Sequence, residues 1–99
     1  MFRDHLVEKA WEMRHQAECF PVGTILKAAV WLEEKHQQAP HWETAIAIAL
    51  QYLMLAMRRD SQASPGIAKE YFSRAMRWRE EARGILNKRS LLIGHQSQN

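Results

Sequence analysis

The sequence predicts an all-α protein: a four-helix bundle, or a helical array that a second copy completes by dimerisation. Three prolines, Pro21, Pro40 and Pro65, each fall between segments with helical spacing of apolar residues, where a residue that lacks an N–H does least harm. No alternating apolar run and no Asn-Gly or Asp-Gly pair indicates a strand or a hairpin. The three breaks therefore divide the chain into four predicted helices.

The first two predicted helices are amphipathic. The first covers about residues 3 to 19, and the second covers about residues 22 to 38. In each helix, apolar residues recur at steps of four and three, so that they share one face. These faces consist of Leu6, Ala10, Met13 and Ala17 in the first helix, and of Ile25, Ala29, Leu32 and His36 in the second.

The third predicted helix, about residues 42 to 59, is apolar on nearly every side. Its segment AIAIALQYLMLAM, Ala45 to Met57, has only Gln51 and the Tyr52 hydroxyl as polar side-chain groups. Such a helix is expected to be contacted by neighbours on several sides. The uncharged stretch that begins at Thr44 holds 14 residues, whereas a membrane-spanning helix needs about 20. The sequence therefore predicts a central helix and no membrane span.

The fourth predicted helix begins at Ser64 and Pro65, a good N-cap followed by proline at the first helical position. Its apolar residues follow steps of four, three, four and three, which is the spacing of a short coiled-coil seam. Gly84 weakens the late part of the helix, because glycine has a low helix propensity. The residues of this seam are Tyr71, Ala75, Trp78, Ala82 and Ile85.

Beyond Ser90 the sequence leaves two alternatives open. The apolar triplet Leu91, Leu92 and Ile93 either docks on the bundle or binds another chain. The polar residues that follow it have no apolar side chain to anchor them. We therefore predict one helical domain over residues 1 to 94 and a flexible polar tail over residues 95 to 99.

Cysteine usage and the N-terminal region predict a cytoplasmic protein. The single cysteine, Cys19, cannot form a disulfide within the chain, whereas most secreted domains of this size carry several. Asp4, Glu8 and Glu12 interrupt the region where a secretory signal needs a continuous apolar stretch. No targeting segment is therefore expected.

Positive charge is concentrated in the second part of the chain. Residues 1 to 57 carry five Lys or Arg and seven Asp or Glu, whereas residues 58 to 99 carry nine and four. This split favours either complementary packing of the two halves or an anionic partner. The fourth helix also carries acidic residues that would repel a polyanion, namely Glu70, Glu80 and Glu81. Nucleic acid is the alternative partner, with these candidate contacts: Lys69, Arg74, Arg77, Arg83, Lys88 and Arg89.

Two Glu-x-x-His pairs, Glu12 with His15 and Glu33 with His36, resemble the metal motif of di-iron carboxylate bundles. The first pair lies opposite the apolar face of its helix, and only His36 of the second pair points inward. The chain also has no glycine-rich phosphate loop, no HExxH motif and no paired cysteines. We predict no metal, no cofactor and no catalytic residue, and therefore a protein that is not an enzyme.

Two further segments resemble known families. RSLLIGH, Arg89 to His95, resembles the arginine-then-histidine motif of the helical nucleases known as HEPN domains, which implies that Arg89 and His95 cleave RNA. This ribonuclease is the second alternative function. Residues 52 to 75 also resemble one tetratricopeptide unit, without its terminal proline or a second copy, at these positions: Tyr52, Leu55, Ala56, Ala68, Phe72 and Ala75.

Tryptophan supplies the leading functional hypothesis, because this short chain contains four of them. Trp11 and Trp31 lie away from the apolar faces of their helices, so either these faces are wide or the two rings contact a partner. Tryptophan is enriched at interface hot spots. We predict a small protein–protein interaction module, a regulator, adaptor or chaperone-like protein of bacterial or phage type, that binds a protein partner or forms a homodimer through Trp11, Trp31, Leu91, Leu92 and Ile93.

Overall fold

The computed structural model describes the backbone of residues 5 to 97 and the side chains of residues 5 to 89. Over this range the chain forms helices and no strand, which confirms the all-α prediction. The helices of the described range are α1 His5–Glu12, α2 Arg14–Cys19, α3 Val22–Gln38, α4 Trp42–Met57, α5 Arg59–Gln62 and α6 Pro65–Ser97.

The described residues form six helices where the sequence predicts four, and the additional divisions lie at two points. The first predicted helix is broken at Met13, whose φ of −91° and ψ of 5° lie in the sparsely populated bridge region. The third predicted helix ends at Met57, because Arg58 adopts an extended conformation with φ −63° and ψ 147°. Neither break falls at proline or glycine. At Arg58, hydrogen bonds from the side chain to the distant carbonyls of Ala17 and Phe20 accompany the break.

The central position of α4 confirms the prediction made from its apolar sequence. Each of the other described helices contacts α4, and α6 does so most extensively, followed by α3 and α1. Ile48, Leu53 and Leu55 are fully buried on it. Burial of such a side chain stabilises the folded state by about 1.5–3 kcal/mol. Alanines at 45, 49 and 56 are also buried, and their small side chains allow the neighbouring backbones to come close.

The flanking helices bury the faces that their spacing predicts. Ala10 and Ala17 are fully buried on α1 and α2, and Ala75 is fully buried on α6. On α3, Ile25 and Ala29 are buried, and His36 is also buried. The larger members of these faces, such as Leu6, Met13, Leu32, Tyr71 and Trp78, are half-buried and pack against the same core.

α6 runs antiparallel to α4 along its surface. The ring of Tyr71 stacks on Tyr52 of α4, with 6.4 Å between centroids. Seven residues later, the edge of Trp78 meets His36 at 5.2 Å, beside the turn between α3 and α4. His41 begins α4 there, because its Nδ1 accepts a hydrogen bond from the backbone N–H of Glu43 at 3.2 Å.

α6 has 33 residues and α4 has 16, so at about 1.5 Å per residue α6 is roughly twice as long. The side chains of residues 86 to 89 are exposed. The side chains of Leu91, Leu92 and Ile93 lie outside the described residues, and the flexible tail at residues 95 to 99 stays a prediction. None of the helices within residues 5 to 97 combines the length and the hydropathy that crossing a bilayer requires.

Candidate functional site

A surface groove lies where α1 and α2 meet the corner between α4 and α5. It consists of two adjoining cavities of about 530 and 440 Å³ that share Trp11 and Met57. We call it the Trp11 groove. The larger cavity is further lined by Arg14, His15, Glu18, Arg59 and Gln62, and the smaller one by Val7, Glu8 and Glu12.

Trp11 is 57% exposed, although tryptophan is usually well buried. The break at Met13 places Arg14 so that its guanidinium lies 4.1 Å from the centroid of the indole ring. The same guanidinium donates a hydrogen bond through Nη1 to the backbone carbonyl of Trp11 at 2.7 Å. Arg14 therefore caps the end of α1 and supports one face of the indole by a cation–π contact.

The corner between α4 and α5 is fixed by Arg58, whose side chain is only 11% exposed. Its Nη1 donates to the backbone carbonyls of Ala17 and Phe20, at the end of α2. Its Nε and Nη2 donate to the two carboxylate oxygens of Asp60 at 3.0 and 3.2 Å. The hydrogen bond from Arg58 is the main reason that the pKa of Asp60 is lowered from its ordinary value.

A second hydrogen bond joins α2 to the start of α5. The carboxylate of Glu18 accepts a hydrogen bond from the backbone N–H of Arg59 at 2.7 Å. The side chain of Arg58 thus pairs with carbonyls at the end of α2, and the side chain of Glu18 pairs with an N–H at the start of α5. We call the contacts made by Glu18 and Arg58 the α2–α5 clamp. It holds the two walls of the Trp11 groove together.

Trp31 is also 57% exposed, but it does not line the Trp11 groove. It lies on α3, where the Nζ of Lys35 is 5.4 Å from the ring centroid. No ring contact joins Trp11 to Trp31 among the described side chains. The two predicted contact residues therefore lie on separate helices, α1 and α3. The other predicted contacts, at residues 91 to 93, lie outside the described side chains.

The basic residues proposed for nucleic acid are all exposed on α6: Lys69, Arg74, Arg77, Arg83, Lys88 and Arg89. Two of them pair with acidic residues of the same helix. Arg74 contacts Glu70 at 3.0 Å, and Arg83 contacts Glu80 at 3.2 Å. The hydrogen bond from Glu70 is the main cause that raises the pKa of Arg74. These carboxylates compete with phosphates for the same guanidinium groups.

The Glu-x-x-His pairs do not converge on one point. Glu33 accepts a hydrogen bond from the Tyr52 hydroxyl at 2.8 Å, whereas the Nδ1 of His36 accepts one from the backbone N–H of His41 at 3.4 Å. The Nε2 of His36 lies 3.7 Å from a carboxylate oxygen of Glu81. Among the described residues, no group of three or more His, Cys, Asp or Glu is placed to hold a metal ion.

Arg14, Glu18, Met57 and Arg58 were not recognised as site residues from the sequence. Arg58 and Arg59 directly follow the uncharged segment that ends at Met57, and nothing in the local sequence distinguishes their roles. Comparisons with protein-family models, with curated proteins and with solved structures find no match for this chain. The function is therefore inferred from the geometry of its own residues.

Proposed function

We propose that this chain is a small non-enzymatic interaction module that binds a segment of another protein in the Trp11 groove. The exposed indole of Trp11 carries this proposal. A large aromatic ring that lies beside Met57 and two open cavities offers apolar surface that a partner's side chain can cover. Tryptophan in such a position is typical of interface hot spots.

The α2–α5 clamp supports the same proposal. Because Arg58 and Glu18 join the walls of the groove, the site is formed before a partner arrives. Binding to a preformed site avoids the entropy cost of ordering loops and side chains. We propose that such binding serves a regulator, adaptor or chaperone-like protein in the cytoplasm of a bacterium or in a phage.

Selection from a random peptide library displayed on phage tests the proposal, with Trp31→Ala as the matched control. Trp11 and Trp31 are equally exposed, so neither substitution removes a core residue. We expect the selected peptides to bind Trp11→Ala at least about tenfold more weakly than wild type, a loss of about 1.4 kcal/mol. Binding to Trp31→Ala is expected to stay within about twofold of wild type. Peptides that bind both variants equally would contradict the proposal.

A second copy of the chain is the partner in the dimeric version of this proposal. Sedimentation velocity over a wide range of concentrations would then show a dimer that weakens in Trp11→Ala and persists in Trp31→Ala. A single monomeric species at every concentration would contradict the homodimer, and the partner would then be a different protein.

Nucleic acid is a second candidate partner, favoured by the exposure of Lys69, Arg77, Lys88 and Arg89 on one helix. This candidate predicts an electrophoretic shift on generic DNA or RNA at low salt that is lost when Arg77 and Arg83 are both replaced by Gln. Absence of a shift with wild-type protein would exclude this candidate. An HEPN-like ribonuclease is the third, and cleavage of RNA that depends on Arg89 and His95 would support it.

A further inference from the structure

We infer that the Trp11 groove selects protein segments in which a central apolar side chain has an acidic residue on one side and a basic residue on the other. This inference rests on the proposed function. It starts from the way charge divides between the two cavities. They share Trp11 and Met57, which form the apolar middle of the groove.

The larger cavity favours a carboxylate. Arg14 and Arg59 line it, and its single acidic residue is Glu18. The carboxylate of Glu18 already accepts a hydrogen bond from the backbone N–H of Arg59. Arg59 itself is exposed. A guanidinium binds a carboxylate through two parallel hydrogen bonds, so an Asp or Glu of the partner is the matching group here.

The smaller cavity favours a cation. Glu8 and Glu12 both line it, and they lie one turn apart on the same side of α1. The Glu8 carboxylate also lies 4.0 Å from the Nδ1 of His5. The smaller cavity has no Lys or Arg in its lining. Two neighbouring carboxylates repel each other, and a Lys or Arg of the partner relieves this repulsion.

This division also distinguishes a protein segment from a nucleic acid strand. A strand would bring phosphates along both cavities, and the carboxylates of Glu8 and Glu12 would repel those in the smaller one. A protein segment changes charge from one residue to the next. Charges arranged in this way set the direction of the bound segment more than its affinity.

The length of the groove sets the spacing of the partner's residues. Glu8 and Glu18 are ten residues apart, so at helical rise the segment that is broken at Met13 separates them by at most about 15 Å. An extended segment covers this distance with about four to five residues. The acidic and basic residues are therefore expected about two positions from the central apolar residue, on opposite sides of it.

A peptide library tests this inference. Its members carry Leu or Phe at the central position and every combination of charges in the flanks, and they are selected on wild-type protein with Trp11→Ala as counter-selection. We expect the Trp11-dependent pool to contain opposite charges on the two sides in one dominant direction. Synthetic peptides from this pool should bind at least about threefold more tightly than versions with the two charges exchanged.

Neutral variants assign each charge preference to its cavity. Arg59→Gln should lose the preference for the acidic residue and keep that for the basic one, and Glu12→Gln should do the reverse. Lys35→Gln, on the α3 surface beside Trp31, is the matched control and should keep both. Unchanged thermal melting shows that the variants fold.

Two outcomes would overturn the inference, and they differ in what they mean for the proposed function. A Trp11-dependent pool without charge asymmetry, or with an asymmetry that neither Arg59→Gln nor Glu12→Gln changes, overturns the inference alone. A library without any Trp11-dependent peptide overturns the proposed function together with it.

Discussion

The carboxylate of Glu18, in the last turn of α2, accepts a hydrogen bond from the backbone N–H of Arg59 at the start of α5. The side chain of the neighbouring Arg58 donates hydrogen bonds in the other direction, to carbonyls at the end of α2. Two short helices thus supply partners for each other's unpaired backbone groups. Helices of 6 and 4 residues are too short to be stable alone, so these contacts help to form them.

Arg58→Ala is expected to destabilise the protein by about 2–4 kcal/mol, because hydrogen bonds to a charged group contribute about 1.5–3 kcal/mol and carbonyls of α2 would lose their partner. Arg58→Lys should be nearly as destabilising, since an ammonium group cannot reproduce the hydrogen bonds of the planar guanidinium. Arg59→Ala is the control, because Glu18 binds the backbone of Arg59 and not its side chain. Urea unfolding measures the three values, and equal losses at 58 and 59 would contradict the role of the clamp.

Acid should weaken the contact between Asp60 and Arg58. The hydrogen bond from Arg58 lowers the pKa of Asp60 below its ordinary value of 3.8. A carboxyl group with a lowered folded-state pKa contributes stability that is present above that ordinary value and is lost as pH falls through the folded-state pKa. Asp60→Asn should therefore reduce the loss of stability on acidification, as measured by denaturant unfolding at several pH values. The same substitution should have no such effect in an Arg58→Ala background.

Alkali should weaken the contact between Tyr52 and Glu33. Burial, followed by the hydrogen bond to Glu33, raises the pKa of Tyr52 above its ordinary value of 10.0. A raised folded-state pKa means that the contribution is complete below the ordinary value and is lost as pH rises through the folded-state pKa. Tyr52→Phe should cost about 0.5–1.5 kcal/mol at neutral pH and should show a smaller further loss above pH 10. An unchanged alkaline dependence would contradict this assignment.

Leu53→Ala should cost about 2–5 kcal/mol, because its side chain is fully buried on the central helix and its loss leaves a cavity. Leu86→Ala is the matched control, since Leu86 lies on α6 and is exposed. A surface substitution of this kind is expected to change the free energy of unfolding by about 0.5 kcal/mol or less. The thermal unfolding midpoints of the two variants should therefore differ clearly. Similar midpoints would contradict the central position of α4 in the core.

The buried faces could be predicted from the sequence because apolar spacing is a local property. Residues such as Ala10, Ile25 and Ala75 lie on the inner faces at the positions that a helical repeat gives them. The apolar character of α4 likewise indicates its central place.

The breaks at Met13 and Arg58 could not be predicted in the same way. Arg58 leaves the helix where its side chain binds carbonyls that are 38 and 41 residues away, and no local pattern contains that information. The same limit applies to the two tryptophans. Trp11 and Trp31 look alike in sequence, but only Trp11 lies where a broken helix meets a helix corner, and that depends on tertiary packing.

The length of α6 makes it a lever. The last fully buried side chain described on it is Ala82, and the helix continues to Ser97 over a further distance of about 22 Å at helical rise. A tilt of about 10° around Ala82 would then move the far end by about 4 Å. Ala75 lies seven residues, or about 10 Å, on the other side of Ala82, so a force applied at Ser97 acts on Ala75 through an arm that is about twice as long.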